Sequence, residues 1–213
     1  MYTPTPEINN TQGGMKMEHY SVFPDKPIVG EGLISHKFIN IGIESFQEAC
    51  RYVYKLPYGY NTDRDDLMIL FKENMGSCAT KHAVIATLAA ELGFGICKHI
   101  GIYAMTEDLV TGTNRILSRY KLPYVPMVHC FLVYKESRVD LSQGNQNGKN
   151  GPIDDFLYME KVEPLISAKE EYLLYRGALQ EHILTKIELH KIDMKTVLKA
   201  REAGLSLLKA NIR

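Results

Sequence analysis

Gly76-Ser77-Cys78-Ala79 places a thiol directly ahead of a long apolar run. Ala79, Ala83, Val84, Ile85, Ala86, Leu88, Ala89, Ala90 and Leu92 are apolar on nearly every face of a helix that Gly93 would stop, so that helix belongs in a core. Ser77 suits its N-cap. A thiol in the first turn meets unpaired N–H groups and the positive end of the helix dipole, and both favour thiolate over thiol. Thiolate is the nucleophilic form, which makes Cys78 a candidate nucleophile. The competing reading is a buried cysteine that packs and does nothing, a common fate for this residue type.

A second feature is the run Val128-His129-Cys130-Phe131-Leu132-Val133-Tyr134, followed after Lys135-Glu136 by Ser137-Arg138-Val139-Asp140-Leu141. These are two stretches of β-formers close enough to form a hairpin. A two-residue turn at Lys135-Glu136 sets Asp140 opposite Phe131, and a turn at Glu136-Ser137 sets it opposite Val133. Either way the period of two puts Asp140 on the sheet face that carries His129. A diagonal neighbour lies about 7–8 Å away at the backbone, within reach of an aspartate leaning toward an imidazole. The alternative is a half-exposed hairpin in which Asp140 pairs with Arg138 or with solvent.

Cysteine, histidine and aspartate together have the logic of an acyl-transfer triad. Thiolate attacks, imidazole moves the proton, and carboxylate fixes the imidazole. Gly76-Ser77-Cys78-Ala79-Thr80-Lys81-His82-Ala83, with Val128-His129 and Arg138-Val139-Asp140-Leu141, resembles transglutaminase-like cysteine enzymes of papain-like fold. Leu56-Pro57-Tyr58-Gly59-Tyr60-Asn61 and Arg64-Asp65-Asp66 resemble the approach to the nucleophile in bacterial members. The likeness spans roughly residues 44–142, and its most specific part is the Gly-x-Cys segment. It implies Cys78 as nucleophile, His129 as general acid/base and Asp140 as orienting carboxylate. Where many members carry a tryptophan, after the nucleophile or near the histidine, this chain has Ala79 and Phe131 and no tryptophan at all. The oxyanion would then fall to the backbone N–H of Cys78, with Asn61, Tyr58 or Tyr60 as a second donor.

These residues need elements to hold them. Residues 1–17, with Pro4, Pro6, Gly13 and Gly14 and no hydrophobic period, read as a flexible arm ahead of a single domain over 18–213. Helical spacing is expected over Ile43 to Leu56, from Asp66 to about Lys72, and over Ser77 to Leu92. Strands are expected at Cys97 to Tyr103, Val128 to Tyr134 and Arg138 to Leu141. The stretch Gln143 to Gly151 reads as an exposed loop, and Ala168 to His190 and Asp193 to Ala210 as helices that dock on the body. The order of helices, strands, then helices indicates an α+β fold, a buried nucleophile helix on an antiparallel sheet with a helical C-terminal tail.

Composition excludes other classes. Lys+Arg 25 against Asp+Glu 25 leaves no net positive field for nucleic acid or an anionic membrane. The most apolar stretch, Ala83 to Ile96, is broken by Thr87, Glu91, Gly93 and Gly95 and falls short of the roughly 20 residues a bilayer requires. Cys50, Cys78, Cys97 and Cys130 form no C-x-x-C pair and read as reduced thiols of a cytoplasmic protein. Cys78 and His82, four apart, share a helical face, but neither they nor Cys97 and His99 match a zinc spacing, so no metal and no cofactor is expected. Asp63, Asp65 and Asp66 lack the glycine and distal glutamate of a calcium loop and suit a helix start instead. The expected function is a cysteine hydrolase or acyltransferase acting on a peptide or side-chain amide through a thioester. The rival is a catalytically silent binding or scaffold module on the same fold. Tyr58 to Asn61, and the loop from Lys121 through Pro123, Tyr124 and Pro126 into His129, are expected to border the cleft.

Overall fold

The computed structural model describes residues 19–143, 146–186, 188, 189 and 191–212, so the expected arm at residues 1–17 lies outside the described residues. The architecture is α+β: helices precede and follow a four-stranded antiparallel sheet of order β3-β2-β1-β4. The strands are β1 (Ile96–Met105), β2 (Val125–Tyr134), β3 (Ser137–Val139) and β4 (Tyr158–Lys161). Along the β1–β2 ladder Ile96 opposes Tyr134 and Met105 opposes Val125, which places His129 opposite Gly101. The absent side chain matters at Gly101, where a Cβ would lie 2.2 Å from the Phe156 ring.

Before the sheet come α1 (Leu33–Asn40), α2 (Phe46–Lys55), α3 (Ile69–Glu73) and α4 (Cys78–Glu91). Ser45 and Glu48 form a capping box at the start of α2, satisfying two orphan N–H donors reciprocally. The buried residues of α4 include every position from Ala79 to Ala86, because α1 and α2 cover it on one side and β1 and β2 on the other. Lys81 is among them. Its Nζ donates to Leu56 O at 2.6 Å and Tyr54 O at 3.3 Å, closing the carbonyl end of α2, and burial lowers its pKa to about 8. The ammonium therefore ties the end of α2 to α4.

After the sheet, α6 (Ala168–Ala178) runs into a π-helical turn at Leu179–Ile183, where the expected single helix to His190 ends. The final helix, α7 (Met194–Asn211), is capped by Asp193, whose carboxylate accepts from Thr196 N at 3.0 Å. It packs on β2 and on α5 (Thr113–Tyr120), as the docked-tail expectation requires. No helix among the described residues is long and apolar enough to cross a membrane.

Three elements escaped the sequence reading: α1, α5 and β4. The expected exposed loop after Gln143 also differs. Asn147 is buried, donating its amide to Ser142 O at 2.8 Å while its Oδ1 accepts from Lys149 N at 3.1 Å. A side-chain amide supplies backbone partners there, so a polar segment packs inward.

Candidate active site

The chain just before Cys78 is pinned to the Tyr58 turn. Gly76 N donates to Pro57 O at 3.1 Å, Gly59 N to Gly76 O at 3.3 Å, and Tyr58 and Gly76 form a parallel bridge. Gly76 has to be glycine for the chain to come this close, since a Cβ would meet Thr80 Oγ1 at 2.8 Å and Leu70 Cδ1 at 3.1 Å. Ser77 occupies the N-cap with extended backbone, yet its side chain makes no capping bond, so Cys78 enters the first turn of α4 with no side-chain acceptor at the helix end. The positive potential of that turn is left to act on the sulfur.

The β2–β3 hairpin takes the first of the two expected registers. Leu132 opposes Val139 and Tyr134 opposes Ser137, so the turn is Lys135-Glu136, with Lys135 at φ 53°. Asp140 follows β3 directly and reaches His129, with Nε2 to Oδ2 at 2.7 Å. Its other oxygen, Oδ1, accepts from Ser142 N at 2.7 Å and Ser142 Oγ at 2.6 Å. Burial would raise the Asp140 pKa, but the His129 charge and these hydrogen bonds hold it far below the usual carboxylate range. The residue is thus an anion fixed at both oxygens.

His129 is buried, and its Nδ1 has no hydrogen-bond partner among the described residues. Burial pushes its pKa down, and the negative charges of Asp140 and Cys78 more than offset that, raising it to about 9. Cys78 moves the opposite way. A hydrogen bond from the Cys130 thiol lowers its pKa, burial opposes, and the His129 charge lowers it further, leaving it well below an ordinary thiol. Cys130 is held correspondingly high by that same hydrogen bond and by burial, and remains the thiol donor. Both shifts favour a thiolate beside an imidazolium.

A second histidine completes the frame. His82, one turn into α4, donates from Nδ1 to Cys78 O at 2.7 Å, while its Nε2 accepts from Leu141 N at 2.8 Å. Burial lowers its pKa to about 4, which keeps Nε2 an acceptor. His82 therefore ties the nucleophile's own backbone to the segment that carries Asp140, and it is no metal ligand in this arrangement.

The cleft over Cys78 has a volume of about 200 Å³, below the roughly 300–1,000 Å³ of drug-sized ligand pockets, so it suits a single side chain or a short acyl group. Tyr58, Tyr60 and Asn61 line it, together with Arg64, Tyr103, Lys149 and the α7 residues Arg201, Leu205, Leu208 and Lys209. Asn61 is not free to act as the second oxyanion donor. Its amide donates to Glu73 Oε2 at 2.8 Å and Met75 O at 3.0 Å, and its Oδ1 accepts from Thr80 Oγ1 at 2.7 Å, so it organises the turn. Tyr58 is different: burial, then the nearby Cys78 charge, raise its pKa well above the usual phenol, so its hydroxyl keeps its proton beside the sulfur. Tyr60 stands edge-on to Tyr58 with ring centroids 6.1 Å apart. Residues 121–126 do not line the cleft, contrary to expectation, because Val125 opposes Met105 at the far end of β1, four residues from His129. The α7 helix and Lys149 form that wall instead.

The sequence reading missed Lys149, Tyr103, Ser142 and the partnership of Cys130 with Cys78. Two of these were accessible. Cys130 is next to His129 on its strand, and Ser142 is two residues beyond Asp140, the spacing of an Asx turn. Among the described residues no cluster of three or more His, Cys, Asp or Glu side chains is arranged to hold a metal ion. Comparison of the chain with protein-family models, with curated proteins and with solved structures finds no match.

Proposed function

We propose that this chain is a transglutaminase-like cysteine enzyme of papain-like fold, a hydrolase or acyltransferase that takes a peptide or side-chain amide through a thioester. The observation that carries the reading is the Asp140–His129 bond at 2.7 Å, with the opposite ring nitrogen buried, unpartnered and beside a thiol of lowered pKa. A proton shuttle needs a ring nitrogen that faces the nucleophile and is held by no other partner.

In the first half-reaction the Cys78 thiolate attacks the amide carbon, forming a C–S bond and pushing the carbonyl electron pair onto oxygen. In this reading the backbone N–H of Cys78 donates to that oxyanion, with the Tyr58 hydroxyl as the second donor. Collapse breaks the C–N bond, and the leaving amine takes the His129 proton. In the second half neutral His129 accepts a proton from water or an amine as it attacks the thioester, and the Cys78 thiolate leaves. Asp140 holds the ring in place and offsets its charge throughout. The chemistry needs a reduced thiol, and the reading therefore places the protein in the cytoplasm.

Intact-mass trapping tests the proposal. Short peptides and glutamine-bearing peptides are incubated with wild-type protein and quenched in acid within a turnover, with His129→Ala as the variant in which acylation by an amide slows. A mass increase confined to the Cys78 peptide is expected. If no amide or peptide acylates Cys78 in either form while a non-acyl ligand binds the cleft, the silent binding module is the correct account.

A further inference from the structure

Buried polar atoms without partners are concentrated in one place. Of the five such side-chain atoms among the described residues, four belong to residues lining the Cys78 cleft: Arg64 Nε, Tyr103 Oη, His129 Nδ1 and Arg201 Nε. The histidine nitrogen is accounted for above. The other three are donors, and a buried donor left unsatisfied is costly, so their clustering calls for a ligand that brings acceptors.

The charges of the same walls agree. Glu171 is the only acidic residue lining the cleft, and both its oxygens are taken by Arg64, Nη1 at 2.8 Å and Nη2 at 2.5 Å. Against that closed pair stand Lys149, Arg201 and Lys209. Lys149 Nζ lies over the Tyr58 ring at 5.6 Å, and Lys209 Nζ lies over the Tyr60 ring at 5.0 Å. Among the described residues neither ammonium has a carboxylate partner. Arg201 stacks on Tyr175 at 4.8 Å and meets only its exposed chain neighbour Glu202, at 3.0 Å through Nη1. A chain of zero net charge has thus gathered an excess of cations and free donors around one thiol. Leu205 and Leu208, one turn apart on α7, give the same wall an apolar strip.

We infer that the group delivered to Cys78 carries a carboxylate close to the reacting carbon, held by Lys149, Lys209 and the free donors of Arg201, Arg64 and Tyr103. The inference rests on the proposed nucleophilic role of Cys78 and narrows its substrate to acidic acyl donors. Lys149 already faces the Cys78 and Asp140 charges, but a neutral donor would leave the three buried donors bare and Lys209 without an acceptor, whereas a carboxylate answers both with charge-assisted hydrogen bonds.

The test compares two alkylating reagents that differ in charge. Iodoacetate and iodoacetamide react by the same displacement, the thiolate forming a C–S bond as iodide leaves, so their rate ratio at Cys78 cancels the thiolate fraction. Rates are read by peptide mass spectrometry on the full chain and referred to the same ratio for 2-mercaptoethanol. The ratio at Cys78 is expected to exceed the reference by about tenfold, the effect of one opposite charge a few ångströms away at intermediate dielectric. It should fall severalfold in Lys149→Gln and, independently, in the exposed-site variant Lys209→Gln. A ratio equal to the reference, with iodoacetamide still fast at Cys78, overturns the carboxylate site and leaves the nucleophile standing. A raised ratio that neither variant lowers overturns the assignment to these lysines. If iodoacetamide is no faster at Cys78 than at Cys97, the nucleophile reading fails, and the ratio still reports whether the cleft selects an anion.

Discussion

Asp140 stands between two buried histidines that carry opposite charge preferences. His129, on the cleft side, is raised to about 9, and His82, on the core side, is lowered to about 4. Burial does not separate them, since both are almost wholly removed from solvent. Partners do. His129 places Nε2 at 2.7 Å from the carboxylate and has a thiolate near its other nitrogen, so both sides reward a proton. His82 is 3.5 Å from the same carboxylate, and its Nε2 is occupied by the Leu141 N–H, which only a neutral ring can accept. One anion thus supports an imidazolium for chemistry and a neutral imidazole for architecture, and the hydrogen-bond partner decides which.

The largest expected break in that contrast is His129→Ala. Turnover should fall by about 10⁴-fold or more, because the acid that protonates the leaving amine is gone. His82 should keep its neutral form, visible in the imidazole proton spectrum. Loss of activity together with a collapsed melting transition would instead make His129 structural.

Asp140→Asn comes next, with turnover lower by about 10³–10⁴-fold and the fold retained. The positioning role has its own signature. His129 should lose its raised pKa of about 9 while the signal of His82 stays at low pH. An unchanged His129 titration would sink the claim that Asp140 supports the charge.

Much of this frame was legible in the sequence, and the misses have physical causes. Apolar spacing locates α4, since a helix buried on all sides leaves few polar positions, and strand parity brings Asp140 to His129 whichever turn is chosen. The role of His82 was not readable, because its partners are a carbonyl in its own helix and an amide 59 residues away. Lys149 was lost inside a Gly/Asn-rich stretch that composition marks as solvated, although Asn147 folds it inward. The wall opposite Cys78 was assigned to residues 121–126 on sequence proximity to His129. Strand length overrules that, because residues this far along β2 are carried away from the site at about 3.3 Å each. The α1 and β4 elements are short, and such elements gain their stability from neighbours more than from their own pattern.

A smaller effect sharpens the comparison from the core side. His82→Phe removes the acceptor of a buried backbone N–H and should cost about 1–3 kcal/mol of stability. Cys78 alkylation should slow only a few-fold, since the thiolate partner His129 is untouched. Chemical denaturation and alkylation rate, measured on the same sample, check both halves.

The pH dependence of stability is subtler still. The folded pKa of His82, about 4, lies below the ordinary ~6.5, so between those values the unfolded chain binds more protons and stability falls as pH drops from 6.5 toward 4. The raised His129 would lose stability as pH climbs from 6.5 to about 9, and the lowered Cys78 acts with the opposite sign. The two contributions oppose, so the slope from this pair should be smaller than that of His129 alone. His82→Phe should flatten the acid limb and leave the neutral region as it is.

The most direct measurement of the central claim is the alkylation rate of Cys78 against pH, by mass spectrometry with a neutral reagent and with Cys97 as internal reference. A thiolate–imidazolium pair predicts a high plateau from below neutrality that changes near pH 9, as His129 loses its proton, and a return to ordinary thiol behaviour in His129→Ala. A single rise at the ordinary ~8.5 of a free cysteine, indifferent to His129→Ala, would contradict it.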